Sequence, residues 1–178
     1  MKTKKHSIKN FLELLAAILL LVGLDQYTKF LAVKHLKDQA EIALIPNVLY
    51  FQYLENRGAA FGIFQGQKWL LLGLTGLVIL GVLYVLWKLP AERKFLPLKI
   101  LCFFLVSGGL GNMIDRVRLD YVVDFIYFSP IDFPIFNVAD IYVTVSMLLL
   151  LVLVMFYYKE EDFDFLKWKQ NKEQERAE

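Results

Sequence analysis

The chain has 178 residues, 57% of them hydrophobic and only 21% charged, with a mean hydropathy of +0.47, which excludes an ordinary soluble domain and places it in the membrane class. A net charge of +2, with the basic residues scattered over short loops, is too weak for a nucleic-acid partner. The single cysteine, Cys102, excludes an internal disulfide, and in "ILCFFLV" it reads as a small buried hydrophobe.

The first apolar stretch follows the basic start "MKTKKHSIKN" and so imitates a secretory signal peptide. No small-x-small cleavage pattern follows, and "DQYTKFLAV" extends the segment, so an uncleaved span is expected over residues 11–33. Further spans are expected over 69–89, 96–114 and 138–158, each close to the ~20 residues that cross a hydrocarbon core. Residues 40–51, "AEIALIPNVLYF", and the later "YVVDFIYF" are apolar and β-prone. The expected fold is an all-α membrane protein, a four-transmembrane-helix bundle forming one integral membrane domain over residues 1–178. Residues 159–178 form a mixed-charge tail with little to bury, expected to remain solvated on the cytoplasmic side.

Four spans put both termini on one side. The start carries Lys2, Lys4, Lys5 and Lys9, and the turn between spans two and three carries Lys88, Arg93, Lys94 and Lys99. The positive-inside rule assigns both to the cytoplasm, against a weaker count of Lys34, Lys37, Arg57 and Lys68 in the longer segment after span one.

With that topology, Asp25, Lys29, Asn56, Arg57, Asn112, Asp115, Arg116, Asn137 and Asp140 all fall at the extracytoplasmic ends of spans or in the loops beside them. The stretch "NMIDRVRLDYVVDF" alone carries three aspartates and two arginines directly after an apolar run. Ionisable residues near hydrocarbon are costly, and they normally face the bundle interior and mark a site. Each also has a plainer reading. Asp25 and Lys29 have the i, i+4 spacing of an intrahelical ion pair. Asn112, Asp115 and Arg116 share a helix face on which Arg116 would neutralise Asp115. Asn137 could cap span four, with Asp140 at its third position. Asp124 has no such reading, because a lone carboxylate fits badly in an apolar strand.

His6 and His35 are remote from this cluster and Cys102 lies deep in span three, which argues against zinc. Aspartate and asparagine oxygens would suit a hard cation. An aspartyl pair sharing one proton, the ionised member activating water and the protonated one polarising a carbonyl, is the other chemistry such residues support.

The blocks "DQYTK" from Asp25, "NRGAAFGIF" from Asn56, "GNMIDR" from Gly111, "VVDF" from Val122 and "FNVAD" from Phe136 resemble, in order, the five signature blocks of the lipoprotein signal peptidase family, bacterial signal peptidase II. The resemblance implies an intramembrane aspartyl endopeptidase with Asp124 and Asp140 as the dyad and no metal or other cofactor. It implies a supporting shell of Asp25, Lys29, Asn56, Gly58, Asn112, Asp115, Arg116, Asn137 and Ala139. It further implies a small extracytoplasmic β-sheet cradling the substrate, a bacterial cytoplasmic-membrane location, and a monomer acting beside membrane lipid. The implied substrates are prolipoprotein signal peptides preceding a cysteine that bears diacylglycerol. Two rivals from other classes are a small transporter or channel, which would be expected to carry polar residues near the bilayer midplane, and a non-catalytic membrane scaffold. Thr75 and Ser107 are the only such candidates inside spans two and three.

Overall fold

The computed structural model describes residues 2–59 and 63–166, with side chains described from Leu12 onward. Four helices dominate it: α1 (Lys2–Leu36), α2 (Lys68–Lys88), α3 (Leu96–Leu119) and α4 (Val138–Phe156). Four segments are long and apolar enough to cross a membrane, Leu12–Leu36 in α1, Lys68–Lys88 in α2, Arg93–Leu119, which adds a 3-10 turn to the start of α3, and Val138–Phe156 in α4. In hydrocarbon a helix satisfies its own backbone hydrogen bonds, which is why these runs adopt this structure.

Helices cover the expected spans, with one informative change. Helix α3 runs past the expected end at Ile114 to Leu119, so Asp115 and Arg116 lie within the helix and are buried. Lys29 of α1 neutralises Asp115 and the Gly58 carbonyl accepts from Arg116, so the charges do not force the helix to stop at the interface.

Helix α3 packs closely against α4 through glycines. A Cβ on Gly108 would lie 2.7 Å from the Ala139 carbonyl oxygen and 2.8 Å from Val143 Cγ2, the close approach that small residues permit between membrane helices.

Three strands, β1 (Ile42–Ile45), β2 (Leu49–Asn56) and β3 (Val122–Phe128), form an antiparallel sheet in the order β1-β2-β3. Pro46 and Asn47 turn β1 into β2. Asn47 sits at φ 62°, and the Val48 N–H donates to the Ile45 carbonyl over 3.0 Å, as expected for Pro followed by a residue that tolerates positive φ. The sheet rests on the end of α1, where Val123 and Phe125 bury against Ala32 and Leu36.

The opposite end of the bundle is closed by Leu86, Leu89, Phe95, Leu98, Cys102 and Tyr158. Here the tail departs from expectation. Glu160–Leu166 forms a short 3-10 helix, and Phe163 and Phe165 pack on the Phe95–Tyr158 stack. Lys94 and Asp162 pair over 2.5 Å beside it. The aromatic residues within the charge run supply apolar surface that its net composition conceals. The rest of the expected tail, from residue 167, lies outside the described residues.

Candidate active site

Local geometry carries the two acids Asp124 and Asp140 to one place. Asp120 ends α3 in the left-handed conformation at φ 68°, its N–H donating to the Arg116 carbonyl, and the chain enters β3 two residues later. Aspartate is among the few non-glycine residues that tolerate this region. Asp124 lies mid-strand, opposite Leu54 of β2. Phe136 then bridges back to Ile126, with N–H to carbonyl distances of 2.9 Å in both directions. The start of α4 is therefore bound to the strand that carries Asp124.

Asn137 joins the two acids. Its side-chain oxygen accepts from the Asp140 N–H at 3.0 Å, and its backbone N–H donates to Asp140 Oδ2 at 3.1 Å, a reciprocal capping box at the start of α4. Its Nδ2 donates to Asp124 Oδ1 at 2.6 Å and to Asn112 Oδ1 at 3.2 Å. The remaining amides complete both carboxylates. Asn56 Nδ2 donates to Asp124 Oδ2 at 2.9 Å, and Asn112 Nδ2 donates to Asp140 Oδ1 at 2.8 Å. Asp124 is 1% exposed, whereas Asp140 is only half-buried, so Asp140 forms the open side of the pair.

Behind the pair lies a second pair of acids. Asp25 and Asp115, both buried, each stand 3.0 Å from Lys29 Nζ, which also donates to Asn112 Oδ1 at 2.8 Å. Asp115 Oδ2 accepts the Val123 N–H at 3.1 Å, and Asp25 Oδ1 accepts the Ala139 N–H at 2.9 Å. Each acid of this rear pair thus holds the backbone N–H immediately preceding one acid of the front pair. Gly111 makes room for the second of these contacts, because a Cβ there would lie 2.5 Å from Asp25 Oδ2.

The loop after β2 is held by Gly58. Its N–H donates to Asn56 Oδ1 at 2.9 Å, and its carbonyl accepts from Arg116 Nη2 at 2.9 Å.

Four carboxyl groups and two cations, Lys29 and Arg116, share this site. Full ionisation would leave uncompensated negative charge in a weakly solvated region, which is costly. Burial, and then the neighbouring Asp140 carboxylate, push the Asp124 carboxyl up to about 7 against the opposing hydrogen bonds from Asn56 and Asn137. The arrangement favours one proton held by the front pair at neutral pH. Among the described residues, no group of three His, Cys, Asp or Glu side chains is arranged to hold a metal ion.

Of the polar residues expected from the sequence, all but Arg57 meet here, with two changes of partner; Arg57 stays exposed, 3.5 Å from Glu55 Oε2 and over the Tyr121 ring. The cation against Asp115 is Lys29, and Arg116 turns instead to the Gly58 carbonyl. The Asp25–Lys29 pair does form, but as part of a buried junction between helices. Gln26 was missed. Its Nε2 lies 2.8 Å from Asp115 Oδ1, 3.2 Å from Asp25 Oδ2 and 3.2 Å from the Gly111 carbonyl. A primary amide between Asp25 and Lys29 in an apolar helix was the available signal.

Residues 17–156 match the family model described as signal peptidase (SPase) II. A lipoprotein signal peptidase of Streptococcus thermophilus (strain CNRZ 1066) is 48% identical over 132 residues, spanning 74% of this chain and 85% of that protein. One from Streptococcus pyogenes serotype M1 is 44% identical over 147 residues, spanning 83% of this chain and 93% of the relative. The fold is similar to a bacterial membrane enzyme solved by the in meso method at 2.3 Å resolution, with TM-score 0.72 and 28% identity over 90% of this chain and 94% of that one. The site and the span of these matches agree: the chain belongs to the signal peptidase II family and is a peptidase.

Proposed function

We propose that this multi-pass bacterial membrane protein removes signal peptides from prolipoproteins, cutting on the N-terminal side of a diacylglyceryl-modified cysteine, with Asp124 and Asp140 as the catalytic pair. The observation that carries the reading is Asn137, whose side chain and backbone hold both carboxyl groups at once. The names of the similar proteins supply the substrate class. By the distribution of basic residues, the end bearing the sheet faces outward and both termini face the cytoplasm. A monomer suffices, since one chain supplies every residue in the network.

The chemistry follows from two carboxyl groups sharing a proton. The ionised member takes a proton from a water molecule, whose oxygen attacks the scissile carbonyl carbon. The protonated member donates to the carbonyl oxygen, giving a gem-diol. Collapse breaks the C–N bond as a proton passes to the departing nitrogen, which becomes the amino group of the lipidated cysteine. Asn56, Asn112 and Asn137 fix the carboxyl orientations, and Asp25, Lys29, Asp115 and Ala139 hold the backbone beneath them. Arg116 and Gly58 position the loop beside the pair.

The test is cleavage of a synthetic prolipoprotein, with and without the diacylglyceryl group, by wild type, Asp124→Asn and Asp140→Asn, with folding verified for each. Only wild type is expected to cleave, only the lipidated substrate, and equally well in excess chelator. Near wild-type activity in either folded variant would remove the aspartyl mechanism.

A further inference from the structure

In the block "DQYTK", the aspartate and lysine have roles in the site and the glutamine has none yet. The two backbones that carry the catalytic pair are held from behind by Asp115, through the Val123 N–H, and by Asp25, through the Ala139 N–H. What sets the spacing of those two rear acids therefore sets the spacing of Asp124 and Asp140. Two side chains bridge Asp115 to Asp25. Lys29 lies 3.0 Å from each, and Gln26 Nε2 lies 2.8 Å from Asp115 Oδ1 and 3.2 Å from Asp25 Oδ2.

We propose that Gln26 is a positioning residue of the peptidase, the uncharged half of a two-membered brace whose other half is Lys29. Lys29 alone cannot serve every acceptor. Its ammonium has three protons, and Asp25 Oδ2, Asp115 Oδ2 and Asn112 Oδ1 take them all. Asp115 Oδ1 is left to Gln26, which also reaches the Gly111 carbonyl and so ties α1 to the stretch of α3 carrying Asn112. Without that amide, a buried carboxylate oxygen loses its donor. Asp115 can recover one only by drawing Lys29 across, which loosens the Lys29–Asn112 contact that supports Asp140. An amide meets this need without adding a charge to a junction that already holds two acids and one base.

The proposal rests on the Asp124–Asp140 reading, and its test separates the two. Gln26→Met keeps the length and removes the donor. Gln26→Glu can donate to Asp115 only while its own carboxyl is protonated, facing Asp25, Asp115 and Lys29. For Gln26→Met, kcat on the lipidated substrate is expected to fall about tenfold or more, with KM changed less than about twofold, the scale of losing an outer hydrogen-bonding partner. For Gln26→Glu, the ratio of its kcat to that of wild type is expected to fall as pH rises, a signature that a purely structural role would not give. A Met variant with wild-type kcat, or a Glu-to-wild-type ratio independent of pH, overturns the assignment; should the Met variant fail to fold, the Glu ratio alone decides. Asp124→Asn and Asp140→Asn are assayed in parallel. If both are inert while Gln26→Met is fully active, the brace alone falls; if either remains active, the catalytic pair falls and the brace with it.

Discussion

Asn137 Nδ2 donates to Asp124 Oδ1 over 2.6 Å, while the oxygen of the same side chain caps α4 through the Asp140 N–H. The two roles can be separated by substitution. Serine caps a helix about as well as asparagine but has no amide to reach Asp124. Asn137→Ser is therefore expected to keep the helix cap while leaving Asp124 Oδ1 without its donor, and to lose roughly 10- to 100-fold in kcat. Asn137→Ala, which loses the cap as well, should be about 1 kcal/mol less stable than the serine variant. Full activity in the serine variant would mean that the amide does not orient Asp124.

Asp124 holds its proton up to about 7, well above the ordinary carboxylate value of 3.8. A raised value in the folded state means that folding favours the protonated form, so this group's contribution to stability is complete below about 4 and is lost as pH rises through about 7. Over that interval wild type should lose stability relative to Asp124→Asn, as followed by thermal unfolding in detergent. The same deprotonation removes the shared proton, so kcat/KM should fall on the alkaline side of 7. A rate profile that stays flat there contradicts the shared-proton mechanism.

Gly111 stands where α3 passes the Asp25 carboxylate. A methyl group added there would lie 2.5 Å from Asp25 Oδ2 and 3.1 Å from its Cγ, so Gly111→Ala must displace the acceptor of the Ala139 N–H. A loss of about 1–3 kcal/mol is expected from the overpacking, together with a large drop in kcat. Gly73→Ala is the control: nothing lies within 4 Å of its added carbon, and its stability should stay within about 0.5 kcal/mol of wild type. Equal behaviour of the two variants would count against the close approach.

Much of this was legible in the sequence because the physics was local. Span positions follow from apolar length, and Asp124 stood out because nothing in "VVDFIYF" could satisfy a carboxylate. The cap reading and the site reading of Asn137 were posed as alternatives, yet an asparagine has enough donors and acceptors for both. What could not be read was partner choice between helices. Spacing along one helix suggested Arg116 for Asp115, and a lysine from α1 took the place instead. The partners of Gln26 were hidden for the same reason, since its acceptors lie on its own helix and on another some 85 to 89 positions along the chain. The docked tail was hidden by averaging, with two phenylalanines diluted among acids and lysines.

That tail gives a prediction about the far end of the molecule. Phe165 meets Phe95 edge-on with ring centroids 5.7 Å apart, and Phe163 lies 5.8 Å from Tyr158, whose hydroxyl donates to the Lys94 carbonyl at 3.1 Å. The segment thus joins the end of α4 to the turn that leads into α3, away from the sheet and the carboxyl pair. Its aromatic rings are only partly buried, so replacing both Phe163 and Phe165 by alanine should cost less than emptying a full core site, about 1–3 kcal/mol in total. Catalysis should be untouched, because none of the hydrogen bonds around Asp124 and Asp140 passes through this segment. The expected result is a lower unfolding temperature with an unchanged kcat per folded molecule, measured well below the transition. If kcat falls in molecules that are still folded, the two ends of the bundle are coupled, and the tail belongs to the working enzyme as well as to its scaffold.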